Sequence, residues 1–258
     1  MAQVSGIYDN PWAYELACSF RDVPSEVDVL LGWYVERYGG LPGSVLELAA
    51  GPAEHAREFD RRGIKATALD LNPAMCAYAA SKAAGLEVVQ ADMTAFDLGQ
   101  TYDLIITMLD STAHLMTLDA FVAHLDRAAA HLAPCGLYIL EQSHPADRLT
   151  DAKRSSSSWS FEDGSVVWGE PDDVMDPITQ IVEDHVTITV TRDGETRVVS
   201  GVVPYRLWTA TEVLAAVRLS GSLEIVAQYG DFADLPITDR EAWRMITVFK
   251  AQAQPGIG

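Results

Sequence analysis

Positive charge is scarce in this chain. Its 258 residues include 18 Lys or Arg against 37 Asp or Glu, a formal net charge of −19 at neutral pH. That balance argues against a nucleic-acid partner and against an anionic membrane surface, because both are gripped by Lys and Arg. It is compatible with a neutral or cationic small-molecule substrate, and equally with a plain solvated acidic surface. Cysteine is also rare. Cys18, Cys76 and Cys135 are far apart and form no CxxC pair and no metal pattern. Reduced thiols in a cytoplasmic protein are therefore expected, with no metal site. No apolar run is long enough to span a membrane. The opening MAQVSGIYDNPW has no basic segment followed by an apolar one, so no signal peptide is expected. No repeat of fixed period is visible. What remains is ordinary globular composition, 48% hydrophobic and 21% charged, in a chain long enough for one sizeable domain.

The organising stretch is Val45–Asp70, VLELAAGPAEHAREFDRRGIKATALD. Val45, Leu46 and Leu48 suit a strand buried on both faces. Ala49-Ala50-Gly51-Pro52-Ala53 is a small-residue turn. Gly51 can take positive φ and admit a ligand close to the backbone, and Pro52 suits the first position of a helix. Ala53–Arg62 continues helically, and Lys65–Leu71 is the next strand, with Asp70 near its C-terminal end. Gly51 and Asp70 are about 20 positions apart, the spacing between glycine turn and ribose-binding acid in nucleotide-binding βαβ units. Two ligand classes use such a unit, dinucleotides and S-adenosylmethionine. A pyrophosphate wants bare helix N–H groups and little negative charge. Glu47 and Glu54 flank the turn, which disfavours pyrophosphate and suits a ligand bearing an ammonium and a sulfonium. Glu54 reads more simply as a first-turn acid complementing the helix dipole. Glu47 interrupts an apolar strand at its ligand-facing end, so a ligand role is preferred over a buried acid with an Arg partner.

Around that unit the chain alternates regularly. Residues 1–40 predict a helical N-terminal cap, ended by Gly39-Gly40. From 41 to 145 strands and helices alternate: a helix from Asn72-Pro73 to Ala84, strand Leu86–Gln90, strand Tyr102–Leu109, helix Leu118–Leu132 and strand Leu137–Gln142. Short connections and β-α-β-α order predict an α/β fold, a doubly wound parallel sheet with ligands beyond the C-terminal strand ends. Every such end offers a carboxylate or an imidazole: Glu47, Asp70, Asp92, Asp110–His114 and Glu141–His144. The alternation breaks at Ala146. The run Ser155–Ser158 predicts a mobile loop. Ile178–Thr191 and Glu195–Trp208 around Asp193-Gly194 predict a long β-hairpin. The 146–208 insert, with Trp159, Trp168, Tyr205 and Trp208, reads as a substrate cover or the contact of a homodimer, against plain packing of an extra sheet. A helix Ala210–Leu219 and two last strands, Leu223–Ala227 and Trp243–Ala251, close a single 1–258 domain at 209–252.

These motifs together resemble the class I S-adenosylmethionine-dependent methyltransferases. The residues that carry the resemblance are Glu47-Leu48-Ala49-Ala50-Gly51-Pro52-Ala53, Leu69-Asp70-Leu71-Asn72-Pro73-Ala74-Met75, Ala91-Asp92-Met93, Tyr102–Ile106 with Leu109-Asp110-Ser111, and Tyr229-Gly230-Asp231-Phe232. The opening IYDNPWAYELACSFRD is similar to the lead-in of a small-molecule branch that includes amino-sugar N-methyltransferases. The resemblance implies a seven-stranded, mostly parallel sheet, S-adenosyl-L-methionine as cofactor, and methyl transfer to an N or O atom of a small molecule. By the same resemblance Glu47, Ala49 and Gly51 hold the methionine part and Asp70 the ribose. Leu71 and Met75 flank the adenine, Asp92 accepts from its amino group, and the Met93 N–H meets the ring. Met108 or Leu109 gives a carbonyl to the ammonium, and Arg21 faces the cofactor carboxylate. Tyr8 and Tyr14 close the cofactor or substrate side. Two family glycines are alanine here, Ala49 and Ala53, which leaves Gly51 with most of the demand for close backbone approach.

Transfer from a sulfonium needs alignment and exclusion of water. An acceptor nitrogen or hydroxyl must also lose a proton, and a histidine is the natural base. His114 and His144 both follow strand ends. Each reads as a base or as a histidine capping a loop carbonyl. Asp110 could orient a base, bind a substrate amine or cap its own turn. His124 and His131 read as packed or solvated. Two competing readings are a nucleotide-dependent oxidoreductase and a non-catalytic cofactor-binding protein of the same fold.

Overall fold

The computed structural model describes residues 6–149, 157–239 and 241–252. In chain order its elements are helices α1 (Pro11–Ala17) and α2 (Val23–Tyr38), strand β1 (Ser44–Leu48), α3 (Glu54–Arg61), β2 (Lys65–Asp70), α4 (Pro73–Lys82), β3 (Glu87–Gln90) and β4 (Tyr102–Thr107). A 3-10 turn (Ser111–His114) follows, then α5 (Leu118–Ala130), β5 (Leu132–Ser143), α6 (Pro145–Leu149), β6 (Ser157–Phe161) and β7 (Gly164–Trp168). The last elements are β8 (Ile181–Arg192), β9 (Glu195–Arg206), α7 (Ala210–Ser220), β10 (Leu223–Tyr229) and β11 (Arg244–Ala251).

Local chemistry sets the helix ends. Asp22, Asn72 and Thr117 accept backbone N–H bonds in the first turns of α2, α4 and α5, and Thr209 with Glu212 forms a capping box on α7. The expected doubly wound sheet is present, in the order β10-β11-β5-β4-β1-β2-β3. Neighbouring pairs among β1–β5 are parallel, and β11 runs antiparallel to both β5 and β10. The strand order reverses between β1 and β4, so their C-terminal ends flank the crevice where open α/β sheets take ligands. Val45, Leu46, Leu48, Leu104, Ile105 and Ile106 are fully buried, as strands covered on both faces require. One apolar core lies under α2 and α3 and a second under α5 and α7.

The insert is larger than one hairpin. β6-β7-β8-β9 form a separate four-stranded antiparallel sheet. The β8–β9 hairpin turns at Asp193-Gly194 as expected, both at positive φ. Of the run expected to be a loop, Ser155 and Ser156 lie outside the described residues, and Ser157 and Ser158 instead begin β6, paired with Trp168 and Val167. The inner face of this sheet packs on Ile7, Ala13 and Ala17 in a third core. The expected helix start at Pro52 is also corrected. Pro52 sits in the turn, and α3 begins at Glu54 behind Ala53 at φ 58°. Trp208 belongs to the α/β core against Phe121 rather than to the insert.

Candidate active site

Two corners form the floor of the crevice. After β1, Ala49, Gly51 and Ala53 all take positive φ, 52°, 53° and 58°. After β4, Leu109 and Asp110 do the same, at 50° and 57°. Among the described residues seven non-glycines have positive φ, and four of them stand at these two corners. Each such residue costs roughly 1–2 kcal/mol relative to ordinary backbone, so the surrounding structure enforces both corners. The expectation that Gly51 carries most of the demand for close approach is therefore corrected: both alanines adopt the glycine-like conformation.

Asp70 ties the first corner to β2. Its two carboxylate oxygens accept from the Gly51 N–H at 2.7 Å and the Asn72 N–H at 2.8 Å. The carboxylate keeps acceptor capacity for a further donor. Burial raises Asp70 above the usual carboxylate value, against backbone bonds from Asn72, Gly51 and Leu71. Leu71, next in sequence, is 64% exposed at the mouth. A Cβ on Gly51 would lie 3.9 Å from both the Met75 sulfur and the Tyr14 ring, so these two side chains line the same turn. On the neighbouring strand end, the Asp92 Oδ1 accepts from the Thr94 N–H and hydroxyl at 2.7 Å. The Met93 carbonyl accepts from His124 Nδ1 at 3.2 Å. At the second corner the Ser111 hydroxyl donates to the Met108 carbonyl at 2.8 Å. Among the described residues nothing donates to the Leu109 carbonyl.

Above the floor, the Tyr8 hydroxyl meets His114 Nε2 at 3.0 Å. The Tyr8 ring stands edge-on to His114 and tilts against Tyr14, each centroid pair 5.4 Å apart. The tautomer of the His114 ring decides which of the two groups donates in the Tyr8–His114 bond. The His114 side chain is exposed to solvent. Burial lowers its pKa below the ordinary imidazole value, and burial raises Tyr8 well above the ordinary phenol. The inserted sheet completes this side, where the Tyr205 hydroxyl donates to Asp110 Oδ2 at 2.6 Å.

Three expected site residues are placed elsewhere. His144 Nε2 donates to the Ile237 carbonyl at 2.8 Å and its Nδ1 accepts from the Ala146 N–H at 3.1 Å. Both nitrogens are used by backbone, so it locks a loop and is no base. Arg21 does not face the crevice. Its guanidinium binds Glu26 at 2.5 Å and Glu141 at 2.8 Å, with 3% of the side chain exposed. Glu47 turns toward α3, where Oε2 accepts from the Ala56 N–H at 2.8 Å and Oε1 lies 3.4 Å from His55. It supplies the acceptor that Ala53, without a polar side chain, cannot give the start of α3. These residues belong to one buried cluster in which Glu26, Glu47 and Glu141 face Arg21, Arg244 and His55. The cluster reaches the second corner through Glu141, whose Oε2 accepts from the Leu109 N–H at 2.8 Å. Sequence reading passed over Glu26, His55 and Arg244. An arginine inside the apolar strand Met245–Phe249 borders was the visible signal for Arg244. Among the described residues no group of three or more His, Cys, Asp or Glu side chains could hold a metal ion, and no helix is long and apolar enough to cross a membrane.

Comparison with known proteins follows this geometry. Residues 45–136 match the family described as methyltransferase domain. The chain is similar, at 29% identity over 108 residues, to a dTDP-4-amino-2,3,4,6-tetradeoxy-D-glucose N,N-dimethyltransferase of Saccharopolyspora spinosa; the match spans 42% of this chain and 43% of that one. Among solved structures, an S-adenosylmethionine-dependent methyltransferase from Clostridium acetobutylicum superposes with TM-score 0.80 at 16% identity, covering 95% of this chain and 99% of the other. An amino pentose methyltransferase from Micromonospora echinaspora, solved with S-adenosylmethionine bound, gives TM-score 0.67 at 21% identity over 88% and 92% of the two chains. Over residues 45–136 the chain thus matches the methyltransferase-domain family, and over most of its length it shares the fold of a solved S-adenosylmethionine-dependent methyltransferase.

Proposed function

We propose that this protein is an enzyme that transfers a methyl group from S-adenosyl-L-methionine to the amino nitrogen of a small molecule, with an amino sugar as the substrate class. The observation that carries the reading is the Tyr8–His114 pair standing over two left-handed corners tied to Asp70. The printed activities of the sugar N,N-dimethyltransferase relatives support the substrate class. The residues fit the cofactor. Asp70 has lone pairs for ribose hydroxyls, Leu71 and Met75 offer apolar flanks for adenine, and Asp92 and the Met93 N–H lie on the next strand end. The Leu109 carbonyl is open to an ammonium, and Ala49 and Gly51 leave room along the backbone. When bound, the cofactor supplies an electrophilic methyl on a sulfonium.

The chain's own residues do the rest. His114, held neutral by burial, takes the proton from the acceptor nitrogen at Nε2 once the Tyr8 hydroxyl yields that atom to the substrate. Tyr8 stays protonated and holds the ring through its hydroxyl until then. Tyr14 covers the turn beside Gly51, and Tyr205 with Asp110 walls the acceptor side. In this reading the 146–208 insert is a substrate cover rather than a homodimer contact, because Trp159 and Trp168 are used inside the molecule, on the Ala17 carbonyl and Asp184. On the same reading the enzyme works in the cytoplasm, and the charge of −19 supports the expectation of no nucleic-acid partner.

The test is release of S-adenosylhomocysteine when the protein meets labelled cofactor and a panel of amines, amino sugars, phenols and carboxylic acids. Turnover is expected with amino sugars. In titration Asp70→Ala should weaken cofactor binding by more than about tenfold, and unchanged affinity removes Asp70 from the ribose role. Binding of NAD(H) without binding of S-adenosylmethionine would overturn the whole reading.

A further inference from the structure

Helix α1 packs with the inserted sheet rather than with the seven-stranded one. Ile7, Ala13 and Ala17 are buried with Val166, Ile188 and Val203, and the Trp159 indole N–H donates to the Ala17 carbonyl at 2.8 Å. Neither large core of the α/β body shares a buried residue with this cluster, and a small apolar group, Ala113, Val182, Tyr205 and Leu207, bridges the two bodies. The described links from this cover to that body include several polar ones. Tyr8 meets His114, Tyr205 meets Asp110, and Asn72 donates to Asp9 at 3.0 Å. Interfaces of this kind between separately packed bodies permit relative motion.

A further link, Glu15, engages three partners on that body. It projects from α1 and takes Arg57 of α3 at 2.5 Å, the Tyr78 hydroxyl of α4 at 2.5 Å and Lys82 of α4 at 3.0 Å. Its side chain is 18% exposed, so these charge-assisted bonds are only partly screened by water. Both helices it holds start at the cradle, α3 after Ala53 and α4 after Asn72. Tyr14, its neighbour in sequence, lies on Gly51. Fastening Glu15 therefore fixes where Tyr8 and Tyr14 stand.

We propose that Glu15 is the latch of a closing cover: its hold on Arg57, Tyr78 and Lys82 positions Tyr8 and Tyr14 over the cradle and sets how fast the spent cofactor leaves. This rests on the methyltransferase reading above. Glu15 is a positioning residue and touches no reacting atom.

The experiment compares the full-length wild type with Glu15→Gln and Tyr78→Phe. Amide hydrogen exchange of residues 11–17 is followed without ligand, and S-adenosylhomocysteine release by stopped flow. Glu15→Gln should speed both roughly tenfold and leave the amides of β1 and β4 unchanged. Tyr78→Phe should act in the same direction and less. Unchanged exchange in α1, unchanged release, or equal acceleration in β1 and β4 would each overturn the latch, the last because it marks general loosening. A wild type that does not bind S-adenosylhomocysteine overturns the methyltransferase reading beneath it. A wild type that binds, with variants that release no faster, overturns the latch alone.

Discussion

Histidine 114 owes its character to its surroundings. Burial lowers its pKa and so favours the neutral ring at neutral pH. His114→Ala should lower kcat by about 100-fold or more and leave cofactor affinity nearly unchanged; equal turnover would make the residue structural. Because the pKa lies below 6.5, activity should hold as pH falls through the ordinary imidazole range and drop only below it. A kcat profile against pH reads this directly. The two corner alanines are a different kind of residue effect. Ala49 sits at φ 52°, where glycine carries no Cβ penalty. Ala49→Gly should stabilise the fold by about 0.5–1 kcal/mol, the relief of left-handed strain less the extra freedom of the unfolded chain. Urea unfolding measures it, and a destabilised variant would show that the alanine methyl matters to packing.

At the scale of elements, hydrophobic period and punctuation made most of the sheet legible. β1, β2 and β4 are short apolar runs, Asn72-Pro73 starts α4, and Asp193-Gly194 turns β8 into β9. The β6–β7 pair was not legible, because its serines and glycines carry no alternation and its pairing partner lies in β8. At the site, Gly51, Asp70, Tyr8, Tyr14 and His114 were legible from type and position and do converge. Glu47 and Arg21 were misread for one reason: a charged residue next to a ligand turn looks alike whether it faces the ligand or the helix behind it. Their partners Glu26, His55 and Arg244 come from α2, α3 and β11, and no local pattern announces such a meeting. That cluster predicts a stability profile. In Glu26, burial would raise the pKa, but bonds from His55 and Arg21 outweigh it and hold the carboxyl at about 2. Its contribution is present above 4.5 and is lost as pH falls toward 2. In His55, burial would lower the pKa, but bonds to Glu26 and Glu47 raise it above 6.5. Its contribution is complete below 6.5 and is lost as pH rises through the raised value. Tm should therefore fall on both sides of a maximum between these limits. His55→Gln should flatten the alkaline side, and an unchanged alkaline decline would assign it to other groups.

At the scale of the molecule, four apolar cores divide the labour. Two clamp the seven-stranded sheet and hold the cradle. The third belongs to α1 and the inserted sheet and carries Tyr8 and Tyr14 to the cradle from outside, and a small fourth, with Ala113, Val182 and Leu207, seats Tyr205. The Tyr8–His114 bond joins residues 106 positions apart, and the Tyr205–Asp110 bond joins residues 95 apart. No contiguous stretch shorter than 8–205 thus contains the whole crevice. The segment 45–136 that matches the methyltransferase domain includes the cradle and the histidine but neither tyrosine. A fragment cut to those limits, or a comparison confined to them, keeps both left-handed corners and Asp70 and discards the tyrosines that close the crevice above them.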